Sequence, residues 1–255
     1  MAPFGASRAG LMSGQRDAIP DSVVDNFELH PDADGAESPY GIYGEGETIE
    51  DYYRGGQLDD YSITESDVID GERALSYDEN TGDDQLIYSL PGDGLNRYPE
   101  PEDTVSYLSY GDGDLADVGT WDLLTTNVEE SGDRINGYGF GIDYTDEIIG
   151  IYRWDGKEGA GSGNRALLDS TSISVSDNTW YWVVIDTPDS DGDMSATVYE
   201  VDTESFEKGS EVGSVSTTDT THSHENRGIG MVGRRRGTSD MPNYDRIIVG
   251  EPSGY

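Results

Sequence analysis

Apolar and polar residues alternate in short runs along most of this chain. Arg73-Ala74-Leu75-Ser76-Tyr77, Leu86-Ile87-Tyr88-Ser89-Leu90 and Thr104-Val105-Ser106-Tyr107-Leu108-Ser109-Tyr110 repeat every second residue, the pattern of strands buried on one face. Further runs of this kind are Ser22 to Glu28, Trp121 to Val128, Tyr138 to Tyr144, Ile148 to Trp154, Ser172 to Val175, Met194 to Val201, Gly228 to Val232 and Asp245 to Val249. Trp180-Tyr181-Trp182-Val183-Val184-Ile185 is apolar throughout. Its two rows, Trp180/Trp182/Val184 and Tyr181/Val183/Ile185, must both be covered, by a loop of this chain or by another subunit. Turn signals such as Asp112-Gly113-Asp114, Asp155-Gly156-Lys157 and Asp191-Gly192-Asp193 separate the runs, and no stretch carries a helical period. About a dozen strands without a composition shift predict one all-β domain over residues 22–255, two antiparallel sheets packed as a sandwich.

Charge narrows the partners. The chain of 255 residues has 53 Asp and Glu against 15 Lys and Arg, a formal net charge of -38. At ordinary ionic strength the screening length is about 8 Å and such a surface repels itself; near 1 M salt it falls to roughly 3 Å. Only Lys157 and Lys208 are lysines, which removes long apolar stems from the surface. Both features predict a protein of a brine environment. An acidic body has no counterion-release drive toward phosphates, so nucleic acid is excluded as a partner. No apolar run is long enough to span a bilayer, so membrane insertion is excluded as well. With Cys absent there is neither a disulfide framework nor a thiolate metal site. Ten percent aromatic content, including 17 Tyr and 4 Trp, argues for a packed core rather than a disordered acidic chain.

Residues 1–21 break this pattern. Gly, Ala and Ser dominate, Arg8 and Arg16 are basic, and the first acid is Asp17. The segment reads either as a docking arm that engages a partner through Phe4, Arg8, Leu11, Met12 and Arg16, or as a frayed terminus. It lacks the apolar block of a secretory signal.

Several segments together carry a family resemblance. Asp25-Asn26-Phe27-Glu28 resembles the "D-x-F-E" opening strand of laminin-G-like modules, and Asp70-Gly71-Glu72-Arg73-Ala74-Leu75 the "D-G-x-x-A-L" strand that follows. Trp180-Tyr181-Trp182-Val183-Val184-Ile185 with Ala196-Thr197-Val198-Tyr199 is similar to their paired hairpin, and Tyr244-Asp245-Arg246-Ile247-Ile248-Val249 to their closing strand. In order and spacing these resemble the concanavalin A-like lectin/glucanase jelly roll. The resemblance implies that the first and last strands lie side by side, with Phe27 near Ile247, and that the domain binds carbohydrate. The segment Phe4 to Ser13, joined to Ile19-Pro20-Asp21-Ser22, resembles the start of virion-associated proteins of haloarchaeal tailed viruses. That resemblance implies a homo-oligomeric head on the virion surface, assembled in the host cytoplasm, held to other virion proteins by the arm and adhering to host surface glycans or glycoproteins.

Candidate sites follow from residue chemistry. Glu200-Val201-Asp202-Thr203-Glu204 has the spacing of the paired glutamates, Glu200 and Glu204, of a laminarinase-like glycoside hydrolase. Thr203 and the turn-like continuation argue against it, and a binding role without catalysis is expected. Asp189-Ser190-Asp191-Gly192-Asp193 has the alternation a hard cation prefers, which makes Asp189, Asp191 and Asp193 the candidate Ca2+ ligands; a plain hairpin turn is the competing reading. Arg234-Arg235-Arg236 is the one basic triplet, suited to an acidic glycan, a neighbouring subunit or nearby carboxylates. Tyr40, Tyr43, Tyr52 and Tyr53 form either a sugar-stacking surface or a loop that buries its rings over a sheet. A cellular surface lectin is the remaining alternative.

Overall fold

The structure is a computed structural model that describes residues 23–25, 27, 43, 47–55, 58, 61–64, 73–77, 85–111, 121–131, 134–157, 165–176, 178–202, 205, 207–234, 242–250 and 252. The docking arm, Tyr40, Glu204, Arg235 and Arg236 lie outside these residues. Among the described residues fourteen strands follow one another: β1 (Val23–Asp25), β2 (Tyr61–Thr64), β3 (Ala74–Tyr77), β4 (Gln85–Ser89), β5 (Thr104–Gly111), β6 (Trp121–Ser131), β7 (Arg134–Asp143), β8 (Ile148–Lys157), β9 (Arg165–Ser172), β10 (Thr179–Asp186), β11 (Asp193–Val201), β12 (Lys208–Thr218), β13 (Gly228–Arg234) and β14 (Pro242–Val249). They build an eight-stranded sheet, β12-β11-β10-β5-β14-β3-β2 with β1 also on β14, and a six-stranded sheet, β4-β13-β6-β7-β8-β9. All pairings are antiparallel. This is the all-β jelly-roll sandwich the alternation predicts, with β1 beside β14 and Asp25 in register with Ile247.

The sheets meet over the inward rows of β5, β10 and β11 on one side and β6, β7 and β8 on the other. Tyr107, in register with Val183, reaches across so that its hydroxyl lies 3.1 Å from the carbonyls of both Asp122 and Phe140. Tyr244 crosses likewise and donates to the Val232 carbonyl at 2.8 Å. These hydroxyls satisfy interior backbone groups that would otherwise weaken the packing. The serines of β5 are buried on both faces: Ser109, on the Tyr107 row, shares a 2.7 Å hydrogen bond with Tyr144, and Ser106, on the opposite row, donates to the Gly250 carbonyl at 2.6 Å.

Both rows of β10 are buried within the single chain. Tyr181, Val183 and Ile185 face the second sheet; Trp182 on the opposite row is also fully enclosed. A second subunit is therefore not needed as its cover. Three strands depart from the sequence pattern. β2 and β12 are additional, and the run Ser172 to Val175 is displaced: β9 ends at Ser172, and Ile173 turns into the sandwich edge. There Gly213 makes room for it, since a Cβ at that position would stand 2.6 Å from the Ile173 side chain.

Candidate functional site

The β10–β11 hairpin shapes one end of the eight-stranded sheet. Asp189 folds its turn: its Oδ1 accepts the backbone N–H of Asp191 at 2.8 Å and of Asp193 at 2.9 Å, while Gly192 N–H donates to the Asp189 carbonyl at 3.0 Å. Gly192 has φ +83°, and a Cβ there would meet the Asp219 carbonyl at 2.6 Å. Glycine is thus required by both backbone conformation and space. Asp219 N–H in turn donates to the Gly192 carbonyl at 2.9 Å, tying the turn to the end of β12.

Asp219 is itself fixed. Arg153 Nη1 donates to its Oδ2 at 2.7 Å, and Tyr138 donates to its Oδ1 at 2.9 Å. Burial would raise the Asp219 pKa, but the Thr221 N–H and hydroxyl, Tyr138 and Arg153 outweigh it and hold the carboxyl down to about 2. His222 packs against the Tyr138 ring, and its Nε2 lies 2.8 Å from the Trp154 carbonyl and 3.2 Å from Asp155. Both neighbours accept, so Nε2 carries the proton. His222 thus adds to the support of the hairpin.

Beside this turn lies an open groove of about 620 Å³, lined by Glu102, Asp186, Asp189, Asp193 and the hydroxyl-bearing Thr187, Ser195, Ser216, Thr217 and Thr218, with Met194 between them. Register brings these residues together: Thr104 pairs with Asp186, Asp186 with Ser195, and Ser195 with Ser216. Thr104 and Ser195 donate to the two Asp186 carboxylate oxygens at 2.9 and 2.8 Å. Thr218 donates to Asp193 Oδ1 at 2.5 Å. The carboxylates of Asp186 and Asp193 are therefore held by neighbouring hydroxyls, and each keeps further lone pairs able to accept.

Asp189 and Asp193 thus reach a groove, yet the trio Asp189, Asp191 and Asp193 does not fit a Ca2+ site. Asp189 Oδ1 serves the turn and Asp193 Oδ1 accepts from Thr218, and among the described residues no group of three Asp, Glu or His side chains comes together as a metal-binding set. A hard cation needs six or more converging oxygens. The aromatic candidates are also placed elsewhere. Tyr43, Tyr52 and Tyr53 are buried, at 0, 2 and 3% exposure, and offer no stacking face. Tyr43 and Tyr53 donate to Asp25 Oδ2 at 3.0 and 2.8 Å, closing the loop onto β1, which is the buried-loop alternative.

Glu200 is exposed near the end of β11, in register with Tyr181 and so on the face opposite the groove's Asp193 and Ser195. The chain then turns, with Asp202 N–H donating to the Glu207 carbonyl at 2.9 Å. Arg234 ends β13 opposite Trp121.

No protein-family model and no curated protein matches the sequence. Among solved structures, the chain is similar to the legume lectin-like domain from Entamoeba histolytica, with 11% identity and a TM-score of 0.44 over 76% of this chain and 91% of that one. It is similar to the metal-free carbohydrate recognition domain of Emp46p, at 10% identity and TM-score 0.38 over 76% and 87%. The enzymatically active domain of bacteriophage CBA120 tailspike protein 2 gives 13% identity and TM-score 0.38 over 76% and 27%. The likeness to the two lectin-like domains is one of fold alone.

Proposed function

We propose that the chain is a carbohydrate-binding head that holds an uncharged glycan in the groove beside the β10–β11 turn without cleaving it. The carrying observation is the lining: four carboxylates and five hydroxyl side chains around about 620 Å³, with no cationic side chain among the described residues that line it. Carboxylates only accept and Ser/Thr hydroxyls both donate and accept, which matches the dense hydroxyls of a sugar. The same carboxylates repel uronates and sialates. Glu200, on the other face of β11 from Asp193 and Ser195, supports binding over hydrolysis.

We further propose that residues 1–21 dock this head, as a homo-oligomer, on other proteins of a haloarchaeal virion, so that the groove meets host surface glycan. The support is the small-residue composition of the arm, whose two Arg balance its two Asp, on an otherwise acidic chain. Titration of the full chain in molar KCl against arrayed neutral and acidic glycans tests the first proposal: neutral glycans bind, and Asp186→Ala weakens them by about tenfold with the fold retained. Binding unchanged by Asp186→Ala would refute the groove. For the second, deletion of residues 1–21 abolishes incorporation into particles; normal incorporation refutes the arm.

A further inference from the structure

The groove continues along the sheet surface. Asp193 pairs with Thr218, Ser195 with Ser216 and Thr197 with Ser214, so β11 and β12 present a double column of polar side chains on one face. Side chains repeat on that face every second residue, and six residues at ~3.4 Å each separate Asp193 from Tyr199 by about 20 Å. At the far end Lys208 Nζ stands 5.0 Å from the centroid of the half-buried Tyr199 ring. Trp182, the cross-strand neighbour of Tyr199, and Leu108 beside it are both fully buried. Thr197 and Tyr199 remain partly exposed, and Ser214 and Ser216 are exposed.

Resting on the glycan reading of the groove, we infer that the ligand is an internal stretch of a linear, uncharged glycan, laid along β11 and β12 from Asp186 to Tyr199. A site for a terminal sugar needs only the groove. Here one further hydroxyl pair, Thr197 with Ser214, lies in register beyond it, and the track ends on an aromatic edge, Tyr199 opposite Glu211, with an ammonium above it. Sugar C–H faces pack on such a ring, and Lys208 adds N–H donors where the acidic end has none. One cation opposite Glu102, Asp186, Asp189 and Asp193 leaves the track acidic, which selects a neutral chain over a polyuronate.

The test is calorimetric titration of the full chain in molar KCl with laminari-, cello- and manno-oligosaccharides from one to six units, and with oligogalacturonate as the charged control. Affinity rises with length by about tenfold or more between monosaccharide and hexasaccharide. Tyr199→Ala and, separately, Thr197→Val lower hexasaccharide affinity but leave monosaccharide affinity unchanged; the threonine variant keeps the test open if removal of Tyr199 disturbs the fold. Equal affinity at every length, with both variants silent, would overturn the extended track and leave the groove standing. Tighter binding of oligogalacturonate would overturn the neutral ligand. No binding at any length would overturn the groove reading itself.

Discussion

Asp25 shows how a single side chain can hold a motif in place. It is fully buried, and its carboxylate accepts from Phe27 N–H at 2.8 Å and from the hydroxyls of Tyr43 and Tyr53. Phe27 sits at φ 60°, a conformation a phenylalanine adopts only when its surroundings impose it. Asp25→Ala leaves three buried donors without that acceptor and is expected to destabilise the fold by about 3 kcal/mol, read from denaturation in molar KCl. Asp25→Asn, which keeps one acceptor oxygen, costs less. Burial, and then the Asp25 charge, raise the Tyr43 and Tyr53 pKa values well above 10.0; burial and Asp122 do the same for Tyr107, Tyr144 and Tyr244. Above pH 10 the unfolded chain releases these protons while the native state keeps them, so stability is full below pH 10 and falls as pH rises. Each tyrosine contributes a slope approaching about 1.4 kcal/mol per pH unit. An alkaline titration of the unfolding midpoint checks this; a midpoint flat to pH 11 would contradict it. Residue chemistry made Asp189 and Asp193 legible as an acidic turn. It could not single out Glu102, Asp186, Ser195, Ser216 and Thr218, which only strand register assembles. The buried tyrosines look identical in sequence to exposed ones, because aromatic rings serve sugar stacking and core packing alike.

At the level of elements, legibility tracked burial. β5, β10 and β14 each lose nearly every side chain from solvent, and their apolar content marks them. β12 buries only Val215 among its eleven residues, and β9 buries none of its eight. Such edge strands have little reason to alternate, since only one side of their backbone is paired and little of their surface is packed. β2 is hidden for the same reason, being four residues long with one buried. The β10–β11 hairpin was legible in both strands and turn, yet its contact with Asp219 was not, because that residue lies beyond β12. The contact gives the hairpin a testable dependence. Gly192→Ala places a methyl against the Asp219 carbonyl and strains a positive φ, with an expected cost of about 1–3 kcal/mol and loss of glycan affinity through a displaced Asp189–Asp193 wall. Ser190→Ala in the same turn is the control that leaves both nearly unchanged. Arg153→Ala releases Asp219 from the other side and weakens glycan binding at constant groove composition. It also diminishes the stabilisation that Asp219 supplies above pH 4, which in the native protein is lost as pH falls through about 2.

For the whole molecule, charge sets the conditions under which this architecture stands. The net -38 is spread over a single sandwich whose described ion pairs involve Arg54, Arg97, Arg153, Arg227 and two histidines. Fifteen Lys and Arg cannot neutralise 53 acids whatever their geometry, so residual repulsion acts against compaction. Exposed pairs of this kind contribute little, about 0–1 kcal/mol each, and salt weakens them further. Repulsion among the unpaired carboxylates is weakened by the same salt, and they outnumber the pairs. The balance therefore favours the folded state as ionic strength rises from about 0.15 M, where charges about 8 Å apart still interact, to about 1 M, where the range is roughly 3 Å. Thermal unfolding in KCl should show a rising Tm over this interval, with each 1 kcal/mol gained worth about 2–4 °C for a chain of this size. Choline chloride at equal ionic strength separates screening from specific cation binding: screening predicts the same rise in both salts. A Tm that is flat or falling in both would mean that the ion pairs, not the unpaired acids, govern stability, and the brine reading of the composition would fail with it.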